Sequence, residues 1–164
     1  MKTTAETSPA LRAVHGDEWI AGIVGGFVGS LLFGLVMQFV MPQPVLEMAI
    51  PAMYGIAGPA LLAGWALHLF HGVVLGIVYV ALVQLGPLRE PATRFAGSLG
   101  LGVGYGIVTT ALPVFVMPLW LSAVGFAGAP PFPNIAIPGT LVSLLGHVVY
   151  AVPVAVSYAL IASD

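Results

Sequence analysis

A chain of 164 residues with 59% hydrophobic and 6% charged residues is long enough for one small domain. Soluble domains carry about 25% charged residues, so four basic and six acidic side chains cannot clothe a water-soluble globule of this size. That balance excludes a soluble enzyme, a disordered chain and a nucleic-acid binder, and the lack of cysteine excludes disulfide, thiolate and iron–sulfur chemistry.

In chain order, residues 1–18 form a polar tail without periodicity, expected to be mobile. The first apolar stretch covers residues 19–41, interrupted only by Ser30 and Gln38. It is too long for a signal-peptide core, and no small-residue cleavage site follows it. A second stretch, residues 58–85, carries His68 and His71; a third covers 95–121; a fourth, 139–162, carries His147. Each exceeds the roughly 20 apolar residues that cross a bilayer at 1.5 Å per residue. Backbone groups in lipid must be satisfied within the segment, and the alternation of a barrel strand is absent, so the spans are helices. The expected fold is an all-α integral membrane bundle of four transmembrane helices, one membrane domain over residues 19–164, with the lipid bilayer as its main partner.

The basic residues set an orientation. Lys2 and Arg12 precede the first span, and Arg89 and Arg94 lie between the second and third. The links at 42–57 and 122–138 carry no Lys or Arg. All four therefore fall on one side, which the positive-inside rule makes cytoplasmic, placing both termini inside the cell membrane. The other two links are apolar and rich in proline. They are expected to lie on the outer surface and cap the bundle, a re-entrant gate being the alternative.

An offset of 76 residues aligns the two halves. Phe39-Val40-Met41-Pro42 recurs as Phe115-Val116-Met117-Pro118, His71 falls on His147, and Gly26 falls on Gly102. The halves, 19–88 and 95–164, read as parallel repeats of span, outer link and span, related by an axis along the membrane normal.

Small residues recur four apart. Gly22, Gly26 and Ser30 form one row and Gly25 and Gly29 another; Ser98, Gly102 and Gly106 form a third, Gly100 and Gly104 a fourth, and Gly72 and Gly76 mark the second span. Such rows let helix backbones approach closely in lipid. The first and third spans carry the densest rows, so they are expected at the bundle centre or at a dimer seam. Pro113 and Pro153 fall inside the third and fourth spans and invite kinks. Thr109 and Thr110 stand ready to satisfy carbonyls freed at Pro113.

His71, His147 and His68 are the ionisable groups of the membrane interior, where such groups mark function. Three readings compete. The histidines fix helix register by hydrogen bonds between helices or to Tyr79, Tyr150 or Ser143. Alternatively, His71 and His147 ligate a haem b between the second and fourth spans. Or they line a proton or solute path, which in a four-span chain would require a homo-oligomer. A metal site is not expected, because neither carboxylate nor thiolate joins the histidines. No paired carboxylates and no Ser–His–Asp set can be assembled, so the chain is expected not to be an enzyme and to need no cofactor. The role expected is structural, sensory or accessory, centred on an inward histidine pair.

Several segments in order support a resemblance. They are His71-Gly72-Val73-Val74-Leu75-Gly76-Ile77-Val78-Tyr79, a short charged link, a glycine-rich third span, Phe115-Val116-Met117-Pro118-Leu119, Pro130-Pro131-Phe132 and Leu145-Gly146-His147-Val148-Val149-Tyr150. Over roughly residues 60–160 this order resembles the YagU-like inner-membrane proteins, and also small four-span membrane proteins of haloarchaea, some labelled histidine kinase. The resemblance implies that the family's membrane histidines fall on His71 and His147, without a known role. A kinase activity has no physical support: the links are too short for an ATP-binding domain, and neither histidine can meet ATP inside an apolar span.

Overall fold

The computed structural model describes residues 14–41 and 44–162. Most of the polar tail, Pro42 and Gln43 of the first link, and the last two residues lie outside the described residues. Helices α1 (Gly16–Phe39), α3 (Leu61–Val83) and α7 (Gly139–Ile161) are each long and apolar enough to cross a membrane. A fourth such segment, Phe95–Ala123, joins α5 (Phe95–Thr109) to α6 (Met117–Ala123) through a π-helical turn, Leu112–Val116. Two short helices complete the set: α2 (Ile50–Ala52), which continues another π turn at Val45–Ala49, and α4 (Gly86–Ala92). No strand occurs among the described residues, and the protein is an all-α, four-helix membrane bundle.

The face that α1 buries is written in its small residues. Gly22, Gly25, Gly26, Gly29, Ser30 and Gly34 are buried, while Ile23, Val24, Phe27, Val28, Leu31 and Leu32 are exposed on the opposite face. An exposed face this apolar is a lipid face, since hydrocarbon solvates it at no cost. The two expected rows on α1 serve two different neighbours. Gly22 and Gly26 meet Gly76 and Gly72 of α3: a β-carbon on Gly26 would lie 2.5 Å from the Gly72 carbonyl oxygen. Gly25 and Gly29 meet Val154 and Tyr150 of α7, and a β-carbon on Gly25 would lie 2.7 Å from the Val154 α-carbon. On α5, Gly102 and Gly106 meet Val152 and Val148 of α7.

The spans therefore stand in the order α3, α1, α7, α5, because α1 packs extensively on both α3 and α7, and α7 also on α5. The first span is central, as expected. The third is at the edge, and its row at Gly100 and Gly104 meets nothing within 4 Å. A closed twofold bundle would pack α5 on α3 as α1 packs on α7. Instead those two helices meet mainly through aromatic side chains: the Tyr105 hydroxyl donates to the Leu75 carbonyl at 2.7 Å, and Tyr105 packs on Tyr79.

That opening is closed at one end. Glu18, at the start of α1, accepts from Arg89 of α4 at 2.8 Å and from Tyr158, near the end of α7, at 3.0 Å. Its other oxygen accepts the backbone N–H of His15, which caps α1. Gln84 bonds both Arg89 and Tyr158. The beginning of α1, the link bearing Arg89 and the end of α7 thus lie together. At the opposite end the row splays, and the two apolar links fill in.

Proline chemistry shapes both links. Pro51 has no N–H for the Glu47 carbonyl, which accepts instead from Ala60 at 2.9 Å. Pro118 likewise leaves the Val114 carbonyl free, and Asn134 donates its backbone N–H there at 2.9 Å. The π turn sends the Met117 N–H to Leu112, and Asn134 Nδ2 reaches the bypassed Pro113 carbonyl at 3.5 Å. The chain after each π turn is thereby pinned back onto it. The hydroxyls of Thr109 and Thr110 bond carbonyls one turn earlier, at Tyr105 and Gly106, and not the one freed by Pro113. Helix α7 runs through Pro153 without interruption.

Candidate functional site

The splayed end holds a half-open cavity of about 420 Å³. Its back wall is Phe33 and Met37 of α1 with His147 and Tyr150 of α7. One side is α3, through His68, His71, Val74 and Leu75; the other is the π turn and α6, through Leu112, Val116, Met117 and Trp120. Val45, Ile50 and Met53 of the first link and Pro130 and Asn134 of the second complete it. The links therefore wall an internal space; they are more than an outer cap.

All three membrane histidines reach this space, each held differently. His68 Nε2 donates to the Ser30 carbonyl of α1 at 2.9 Å. Ser30 is a small residue at the α1–α3 crossing, and its hydroxyl bonds back to the Phe27 carbonyl. His147 Nδ1 donates to the Ser143 carbonyl, one turn earlier on α7, at 2.7 Å. A carbonyl can only accept, so the proton sits on Nε2 of His68 and on Nδ1 of His147. His68 is 8% exposed and His147 9%. Phe33 stands between them, its ring centroid 5.7 Å from one imidazole and 4.8 Å from the other, edge-on to both. His71 turns to the first link, where its Nε2 meets the Tyr54 hydroxyl at 2.5 Å and the two rings stack. The two histidines that flank one ring are thus His68 and His147, whereas His71, the partner expected for His147, is half-buried and tied to Tyr54.

Aromatic side chains fasten the walls. Trp120 Nε1 donates to the Met53 carbonyl at 2.9 Å, joining α6 to the first link. Trp65 Nε1 donates to Gln38 at 2.8 Å, joining α3 to the end of α1. Tyr150 spans the back wall and donates to the Gly72 carbonyl at 2.8 Å. Gly72 carries no side chain to block that carbonyl, so a tyrosine from α7 reaches α3 behind the α1 crossing. Of the partners expected for the histidines, Ser143 serves through its backbone, Tyr150 bonds α3 instead, and the Tyr79 hydroxyl is buried without a partner among the described residues.

Chemically the site is an apolar chamber with a few acceptors. Methionines 37, 41, 53 and 117 line it, and their flexible thioethers adapt to varied shapes. Among the described residues no three His, Asp or Glu side chains are grouped to hold a metal ion. Reasoning from sequence singled out the histidines but missed Phe33, Tyr54, Trp120 and Asn134. Only the aromatic content of the links hinted at them. The Glu18–Arg89 pair was equally hidden, since 71 residues separate its members. No family model, curated protein or solved structure matches the chain.

Proposed function

We propose that this polytopic membrane protein is a ligand-binding protein of the sensory or accessory kind, whose cavity between α3 and α6 takes a small membrane-soluble molecule. The observation that carries the reading is the pairing of an apolar chamber with two nine-tenths-buried imidazoles whose inward-bonded tautomers leave one nitrogen each for a guest. Helix packing alone does not require such a space, because lipid-facing helices gain by filling voids.

The closed end favours binding over passage. Tyr79, Tyr105 and Tyr158 are buried between the cavity and the Glu18–Arg89 pair, so a single chain offers a chamber with one blocked end. His71, the expected haem partner of His147, has its Nε2 on the Tyr54 hydroxyl, and Phe33 covers the His147 ring, which supports an organic guest over axial ligation.

Native mass spectrometry of protein released from its own membranes tests the reading. The expected spectrum contains a bound small molecule that disappears in Val74→Trp, which fills the cavity from α3. The same adduct in wild type and variant would overturn it.

A further inference from the structure

We infer that the guest of this cavity is a hydroxyl-bearing lipid or lipid-like molecule, recognised because its polar end donates hydrogen bonds to His68 Nδ1 and His147 Nε2. The inference rests on the ligand-binding reading above and specifies the chemistry of the guest.

The tautomers carry it. Each imidazole spends its one N–H on a backbone carbonyl, His68 at Ser30 and His147 at Ser143. A buried imidazole with no carboxylate partner stays neutral, since an unpaired charge in an apolar interior is costly. No ion pair to either histidine occurs among the described residues. The second nitrogen of each ring is then a bare acceptor. The hydrogen bonds of the two imidazoles among the described residues use only the other nitrogen of each ring, and both side chains are nine-tenths buried and line the cavity. An acceptor that faces an apolar space without a donor costs stability until something supplies one.

Three nearby donors are already committed. The Tyr150 hydroxyl is spent on Gly72, Trp120 Nε1 on Met53, and Trp65 Nε1 on Gln38. The two bare imidazole nitrogens thus face walls of methionine, leucine and valine. A carbonyl-only guest, such as a ketone or ester without hydroxyls, would add acceptors to acceptors. A guest with hydroxyls satisfies both nitrogens, and its hydrocarbon part fills the apolar remainder. Two kinds of membrane molecule share this chemistry, an alkyl hydroquinone and a monoacylglycerol.

The test is quenching of tryptophan fluorescence in nanodiscs, since Trp120 lines the cavity and Trp65 packs against His68. Four probes are titrated: a decyl hydroquinone and its dimethyl ether, and monodecanoylglycerol and its dimethyl ether. Each hydroxyl form is compared with its own ether, which has the same skeleton but only acceptors. At least one hydroxyl form is expected to bind about tenfold or more tightly than its ether, the size of one well-made hydrogen bond. The preference should fall to within about twofold in His147→Leu and in His68→Leu. A stronger preference with the hydroquinone identifies an aromatic guest, and with the glyceride a glycerolipid; both uphold the inference. Equal binding of hydroxyl and ether forms would overturn it while leaving a cavity for apolar molecules. Binding of none of the probes would overturn both readings. The wild-type comparison decides the matter even where a histidine variant fails to fold.

Discussion

Glu18 is one of six acidic residues in the chain and is 3% exposed, at the first turn of a membrane helix. It stays there because three donors converge on it: Arg89, Tyr158 and the His15 backbone N–H. A carboxylate at a helix N-terminus also gains from the helix dipole. The pair ties three segments together at one point, so removing a partner has effects beyond its own contact. Arg89→Leu is expected to cost about 1–3 kcal/mol, because Glu18 keeps two donors but loses its counter-charge. Adding Glu18→Gln to that variant should restore part of the loss, read by thermal unfolding in detergent. A double variant no more stable than Arg89→Leu would show that the charges are not coupled. At this scale the sequence disclosed which residues carry unusual chemistry, but not their partners. His68, His71 and His147 stand out because ionisable groups are rare in apolar spans. Their roles were decided by Ser30, Ser143 and Tyr54, through backbone carbonyls and a hydroxyl that no spacing rule points to.

Among the elements, helix α1 is the hinge of the packing because it presents small residues to two neighbours at once. The two rows behave differently from the second row on α5, and this gives a paired expectation. Gly26→Ala should destabilise the bundle by about 1–3 kcal/mol, since its β-carbon would press on the Gly72 backbone. Gly104→Ala, on an open face, should be neutral or slightly stabilising, because alanine suits a helix better than glycine. Unfolding in a denaturant or detergent series measures both. An equal cost at the two positions would mean that close approach at Gly26 does not hold α1 to α3. The glycine rows were readable in advance, since a spacing of four on a helix is a geometric statement. Which row found a partner was not, because that depends on helices distant in the chain. The same holds for the π turns. Pro51 and Pro118 announce missing N–H groups, but the donors that replace them, Ala60 and Asn134, arrive only when the links fold back.

Across the whole molecule, the four spans were evident because hydropathy and length are local properties, and the structure contains four such helices. The crossings carry a further regularity. Gly26 lies against Gly76 and Ser30 against Gly72 in one half; Gly102 lies against Val152 and Gly106 against Val148 in the other. Each pair maps onto its counterpart at the offset of 76, which is the register that duplication of a span–link–span unit would leave. The order α3, α1, α7, α5 was not evident. Nor was the cavity, which exists because α5 and α3 stay apart at one end while tyrosines and the Glu18–Arg89 pair close the other. A space between elements has no sequence of its own. The most direct test of that chamber is photolabelling in lipid vesicles with a diazirine-bearing alkyl alcohol, followed by mapping of the modified residues. The expected result is label concentrated on cavity residues such as Met37, Val116 and Met117, and lost from them in Val74→Trp. Label spread evenly along lipid-facing residues such as Ile23, Leu31 and Val103, unchanged by Val74→Trp, would contradict a binding chamber.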